Sequence, residues 1–450
     1  MKDFTLAEIA KACNGEYVGD ESLKNTKITS VERDSRQVKN GSLFLAIKGE
    51  RVDGHDFIEK CFAQGAVCAL CEKAPENATK PCIVVPSTLD AVKKIGRAYR
   101  EKFDIPVIGI SGSVGKTSTK EMLYAVLSQK FKTHKTQGNL NNELGVPLTL
   151  LSMPEDTEAA VIEMGISDFG EMTRLSEMVQ PTICVLTIIG ECHLENLGDR
   201  DGVLKAKTEM FKNARENADF ILNGDDDKLS SVKTVNGKKP VFFGLDAKND
   251  FYAKNIKNSG DGKVLATLCF DNNNIDVEIP AIGTYMVTNA LAAAAAGKFL
   301  GLTDEEIANG VASYKTVGSR ANVINTGKIK IIDDCYNANP TSVRASLDTL
   351  SNLDGRKVAI LGDMKELGSE ELKLHFDTGV YAKSKGIGTV ITVGELAKEL
   401  AKGADGKAFD TIEDAKPEIL KTIKSGDVVL VKASHSMQFE NIVEFLKQNF

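Results

Sequence analysis

The segment GISGSVGKTST, Gly109 to Thr119, carries residue types and spacing suited to holding a phosphate. It follows the apolar run IPVIGI and precedes a helix expected from about Thr117. A strand, a glycine-rich turn and a helix aim backbone N–H groups and the positive end of a helix dipole at one point, which favours an anion. Gly112 and Gly115 let the backbone approach phosphate without a Cβ in the way. Lys116 is placed to reach β- and γ-phosphates, and the Thr117 hydroxyl to ligate magnesium. The usual phosphate loop is G-x-x-x-x-G-K-[ST]; here Ile110 stands five residues before Gly115, so the loop is not of the standard form.

Phosphoryl chemistry also needs metal ligands, and parallel sheets collect them at the carboxyl ends of their strands. The expected strand AAVIEMG offers Glu163, and TICVLTII is followed by GECHLENLGDRDGVLKAKTEMF, which supplies His193, Lys205 and Lys207. Alone, Glu163 is bland and His193 is an ordinary loop histidine. Together, strand ends offering Gly-Lys-Thr, Glu and His form a candidate site. Cys68 and Cys71 form a C-x-x-C inside GAVCALCEK, but residues three apart on a strand point to opposite faces, which argues against zinc or redox chemistry.

The elements that must position these groups read as alternating strands and helices. Up to about residue 85, GSLFLAIKGERVDGHDFIEKCFAQGAVCAL gives strand, glycine turn, helix and strand. A second segment opens with the helical pattern STLDAVKKIGRAYREKF and contains the phosphate loop. From about residue 317, KIKIIDD, KVAILGD, TVITVG and DVVLVKAS read as a third set of strands. The expected domains are 1–85, 86–316 and 317–450, of α/β class with largely parallel sheets. A chain of 450 residues is too long for one core. Its net charge of −7 argues against general nucleic-acid binding. MKDFTLAEIAKACNG lacks the apolar stretch of a signal peptide. NALAAAAAGKFLGL, interrupted by Lys298, is shorter than a membrane span and reads as a buried helix, so no membrane insertion is expected. Nine cysteines without framework spacing suit a reducing cytoplasm.

SGSVGKTST, TQGNLNNELGVPLTLL, VIEMG, CHLENLG…AKTEMF, GTYMVTNALAAAAAG and DDCYNANPTSV, in this order, resemble the signatures of the Mur ligases, the ATP-dependent amide-forming enzymes of peptidoglycan synthesis. The spread from Asp34-Ser35-Arg36 to VLVKASHSM covers nearly the whole chain. The family's loop has the form G-[ST]-x-G-K-[ST], matched by Gly112 to Thr117, and needs no glycine at 110. The resemblance implies three domains: a small N-terminal α/β UDP-sugar-binding domain, a central P-loop-type parallel-sheet ATPase domain and a C-terminal Rossmann-like domain. Within the family, DDCYNANP with LGDMKELG is most similar to the member that joins D-alanyl-D-alanine to UDP-N-acetylmuramoyl-tripeptide. The D-[DN]-P-[RAK] motif of the amino-acid-adding relatives is not found.

That resemblance implies ATP binding by Gly112, Ser113, Val114, Gly115, Lys116, Thr117 and Ser118, with Asn289 near the adenine and Arg320 and Asn337 approaching from the last domain. It implies two magnesium ions, held by Thr117 and Glu163 and by His193 and Lys207, the last as a carbamylated lysine. Lys116, His193 and Lys207 are the catalytic candidates, Asn141 and Asn142 sit by the phosphates or substrate carboxylate, and Asp34, Ser35 and Arg36 serve the UDP-sugar end. Tyr285 stands where relatives usually have histidine, and His435 where arginine is common, so no C-terminal anion contact is carried over. A cytoplasmic monomer acting on small molecules is expected. The alternatives are another Mur-type or folylpolyglutamate synthetase-like ligase and, in a different class, a P-loop NTPase switch.

Overall fold

The computed structural model describes residues 1–259 and 262–450. Its first sheet has the order Glu16–Val18, Cys82–Val84, Cys68–Cys71, Ser42–Leu45, Ser30–Glu32, parallel except for the first pair. The helix Leu6–Cys13 packs on it through Leu6, Ile9 and Cys13, and starts at a capping box between Thr5 and Glu8. Cys68 and Cys71 fall into different core clusters, as alternation along a strand requires, and all nine cysteines are free and buried.

The second sheet is wholly parallel, in the order Val241–Phe243, Asp219–Asn223, Ile183–Leu186, Val107–Ser111, Ala159–Glu163, Thr133–Lys135. Helices cover both faces, so its central strand reads as the continuous buried run VIGIS rather than an alternating one. Ile108 and Ile110 share a core with Met122, Leu123 and Val126 of the helix Lys116–Leu127. Ile110 is therefore a packing residue of the strand. The chain leaves Val107–Ser111 at the point where its neighbours on either side, Ala159–Glu163 and Ile183–Leu186, come from opposite directions of the strand order. Such a switch point opens a crevice at the carboxyl ends.

The alanine-rich segment forms the helix Tyr285–Phe299, with Ala290 through Ala296 buried. Small side chains bring it against the Lys116–Leu127 helix, and so against the phosphate loop. The antiparallel sheet Tyr252–Asn258, Val264–Phe270, Asn273–Ile279 departs from the expected parallel alternation. It is a one-sided sheet: Ile275, Val277 and Ile279 turn inward onto the same core, while the residues between them are exposed. The last sheet runs Asn322–Asn325, Lys330–Asp333, Asp427–Lys432, Arg356–Gly362, Thr389–Val393, Lys407–Phe409, parallel but for its first pair. Among the described residues no helix is long and apolar enough to cross a membrane.

Candidate active site

A cavity of about 850 Å³ opens at the carboxyl end of the central sheet and is lined on its far side by loop and helix residues next to the last sheet, with Lys432 from the sheet itself. The glycine loop forms its floor. Gly112 has φ +151°, and a Cβ there would lie 1.9 Å from Thr187 Oγ1; Gly115, at φ +85°, caps the following helix in the left-handed region. Ser113, Val114, Gly115, Lys116, Thr117 and Ser118 all line the cavity. Lys116 Nζ donates to the Gly112 carbonyl at 2.8 Å, which keeps the ammonium folded over the loop.

Glu163 ends the adjacent strand and is buried. Thr117 Oγ1 donates to its carboxylate at 3.0 and 3.2 Å, and Asn141 Nδ2 donates to it at 2.8 Å. The buried Lys120 ammonium lies 3.6 Å from Glu163 and 3.2 Å from Glu121, close enough for charge pairing but without hydrogen-bond alignment. Among the described residues no group of three or more His, Cys, Asp or Glu side chains converges as a metal cage. Thr117 and Glu163 nevertheless present hard oxygen donors side by side. Magnesium is typically held by one or two protein oxygens while waters and phosphate oxygens complete its shell, so this pair fits it.

On the other side of the loop, His193 lines the cavity and Lys207 lies buried beneath it. The two lysines of KAKTEMF separate cleanly: Lys205 is exposed over the Phe169 ring, whereas Lys207 is enclosed. Burial pushes the Lys207 amine down to about 8, opposed by the Cys192 thiol and assisted by the Lys116 charge. His193 is also pushed down, chiefly by burial, with Lys207 and Lys116 adding to the effect and Glu366 opposing it.

The far wall carries Arg320, whose guanidinium stacks 3.6 Å over the Tyr336 ring, and Asn337, whose Oδ1 accepts from the Ala338 N–H. Asn289 faces the cavity from the alanine-rich helix and accepts from Thr119 Oγ1 at 3.0 Å, tying that helix to the loop helix. Asn142 Oδ1 accepts from Gly145 N at 2.8 Å, at the start of the helix Gly145–Leu151, and the residue still lines the cavity. Tyr285 lines it as well, while His435 sits behind Tyr336 with its ring 5.7 Å away. Asp34, Ser35 and Arg36 are not brought to this cavity. They lie on a turn after the Ser30–Glu32 strand, where the Arg36 guanidinium holds the Asp34 carboxyl down at about 2.

Residues 27–101 match the Mur ligase family catalytic domain, 110–297 the Mur ligase middle domain and 319–435 the Mur ligase glutamate ligase domain. The UDP-N-acetylmuramoyl-tripeptide--D-alanyl-D-alanine ligase of Bacillus subtilis (strain 168) is 36% identical, with 98% of each chain covered. This chain belongs to the Mur ligase family. A crystal structure of MurF from Acinetobacter baumannii superposes with a TM-score of 0.92 at 32% identity, covering 100% of this chain and 99% of that one. The MurF ligase of Thermotoga maritima in complex with ADP gives a TM-score of 0.84 at 30% identity, covering 93% and 97%. The three-domain Mur ligase architecture expected from the sequence is thus present.

Sequence reading missed several groups of this Mur ligase cavity. Lys432 lines it and donates to Asp334 Oδ2 at 2.7 Å and to the Asn337 carbonyl at 3.0 Å, bracing the turn that carries Asn337. Asn223, Asp225, Phe243 and Leu245 add a wall from the sheet's far edge. Lys432 and Glu366 fall inside the family-like motifs VLVKASHSM and LGDMKELG, whereas nothing in the local pattern marks the Asn223 region, which only the packing of distant strands brings close.

Proposed function

We propose that this chain joins D-alanyl-D-alanine to UDP-N-acetylmuramoyl-tripeptide, converting ATP to ADP and phosphate through an acyl phosphate. The observation that carries this reading is one cavity lined at once by a phosphate loop, the Glu163 carboxylate and cationic groups of the last domain, in a chain resembling ligases of that name over its full length. A carboxylate is a poor acylating agent, and attack on ATP brings two anions together. Catalysis is therefore mainly positioning and charge neutralisation.

In this reading the tripeptide carboxylate attacks the γ-phosphorus and ADP leaves. The dipeptide amine then attacks the acyl carbon, and the tetrahedral intermediate expels phosphate as the amine loses its proton. Lys116 and the N–H groups of the loop hold the phosphoryl oxygens, Arg320 and Asn337 approach them from the last domain, and Asn289 faces the adenine. Asn141 and Asn142 orient the carboxylate, and Asp34, Ser35 and Arg36 meet the UDP-sugar. Thr117 and Glu163 would hold one magnesium ion; His193 and Lys207, as a carbamate, would hold a second. When bound, magnesium neutralises charge on the transferring group. The burial that brings the Lys207 amine down to about 8 favours the neutral form that alone can add carbon dioxide.

We assign the domains to 1–85, 86–316 and 317–450; the first sheet ends at Val84 and the last begins at Asn322. With this reading goes a cytoplasmic monomer acting on small molecules. A panel of acceptor amines, offered with ATP and either the lysine or the diaminopimelate tripeptide, tests it by phosphate release and mass spectrometry. The expected outcome is phosphate release dependent on D-alanyl-D-alanine with formation of the UDP-pentapeptide. Release without any carboxylate substrate would favour a nucleotide switch instead, and release with single amino acids an earlier ligase of the family.

A further inference from the structure

The loop from Gly190 to Asn196 is gripped from two domains. From the phosphate loop, Ser113 Oγ accepts from Gly190 N at 2.9 Å and from the Cys192 thiol at 3.0 Å. From the last domain, Thr341 Oγ1 donates to Glu191 Oε2 at 2.5 Å, and the Glu366 carbonyl lies 3.5 Å from Glu195 N. Gly368 presses on the same backbone, where an added Cβ would stand 3.3 Å from Glu195 Cα. At the centre of this contact, Glu366 Oε2 lies 2.5 Å from His193 Nδ1, off the N–H axis. Both residues hold left-handed backbone conformations, His193 at φ +50° and Glu366 at φ +64°. For residues other than glycine this costs roughly 1 kcal/mol or more each, and it persists where the surroundings impose it.

We propose that Glu366 is a positioning residue for His193: the last domain carries a carboxylate to Nδ1 and so leaves Nε2 as the free nitrogen facing the cavity. A histidine beside a carboxylate keeps its proton on the nitrogen nearer the charge, and the other nitrogen is then available as a lone-pair donor. Because Glu366 and His193 belong to different domains, the histidine is completed only when the last domain docks. The same loop is bonded to Ser113, so the phosphate loop and the docked domain meet in one short segment. The pair is only partly enclosed, with Glu366 the more exposed member, and the contacts on either side of it hold its geometry.

The chain has five histidines, so long-range proton–nitrogen spectra of the full protein labelled at histidine nitrogen can resolve His193, assigned by its loss in His193→Gln. Without nucleotide or metal, the unsubstituted protein should show His193 protonated at Nδ1. Glu366→Ala should shift it toward the Nε2-protonated form, and Glu366→Gln, which keeps an acceptor oxygen but loses the charge, should fall between. A kinetic arm rests on the ligase reading: Glu366→Ala should lose about 10- to 100-fold in turnover or in magnesium affinity, with the KM for the dipeptide unchanged. Unchanged tautomer populations in both folded variants would overturn the proposal, whatever their activity. A tautomer shift in a protein that forms no amide would instead sink the ligase reading and leave the positioning role standing.

Discussion

Lys116 lines the cavity and Lys207 is buried outside its lining, and the two are expected to answer substitution in different ways. Lys116 lies over the loop at the cavity floor, its ammonium donating to the Gly112 carbonyl. Lys116→Ala should remain folded while losing about 3 kcal/mol of transition-state stabilisation, roughly two orders of magnitude in kcat. Near-normal turnover in the folded variant would contradict its role. Lys207 is buried with its amine lowered to about 8 from the ordinary 10.5, so the native state binds fewer protons than the unfolded chain between those values. Stability therefore rises with pH through that window, and the burial cost is fully present below pH 8. In bicarbonate-free buffer Lys207→Met should be more stable than the parent at pH 7, by up to about 3 kcal/mol, with the difference fading toward pH 10.5. Denaturant titrations at several pH values check this, and a gap that does not vary with pH would contradict it. With 13C-bicarbonate added, a carbamate carbon resonance present in the parent and missing from the variant is the expected sign of the modification; its absence from both would dismiss it.

The helix that follows the phosphate loop is held in turn by close helix packing. Gly310, in the helix Asp304–Ala312, meets the loop helix so closely that an added Cβ would lie 2.4 Å from Val126 Cα and 3.0 Å from the Ala125 carbonyl. Helix propensity favours alanine over glycine by roughly 1 kcal/mol. Backbone atoms cannot step aside as a side chain can, and overpacking a core usually costs about 1–3 kcal/mol. The clash should win: Gly310→Ala is expected to lower Tm by a few degrees, and a raised Tm would show that the helices can separate cheaply. The elements that carry the site were largely legible in the sequence, since strand, glycine turn and helix follow one another directly from Ile105 to Leu127. The antiparallel sheet 252–279 was not read, although NNIDVEI alternates, because the surrounding pattern of strands and helices favoured a parallel continuation. The Asn223 wall was invisible for another reason: its place depends on which strands become neighbours, and that is set by contacts far apart in the chain.

At the scale of the whole molecule, the cavity belongs to no single domain. The central sheet supplies the phosphate loop and Glu163, and the last domain supplies Arg320 and Asn337 from loops and Lys432 from a strand. Polar contacts cross this junction at Glu191 and His193. A site shared in this way brings a carboxylate, a phosphate donor and an amine together in turn, which a nucleotide switch has no need to do. The most direct test of that claim follows the oxygen atoms. UDP-N-acetylmuramoyl-tripeptide labelled with 18O in its terminal carboxylate is incubated with ATP and D-alanyl-D-alanine, and the released phosphate is analysed by mass spectrometry. Passage through an acyl phosphate predicts that each phosphate carries one labelled oxygen while the other stays in the new amide. Phosphate carrying no labelled oxygen, its fourth oxygen coming from solvent and the carboxylate label intact, would contradict the account.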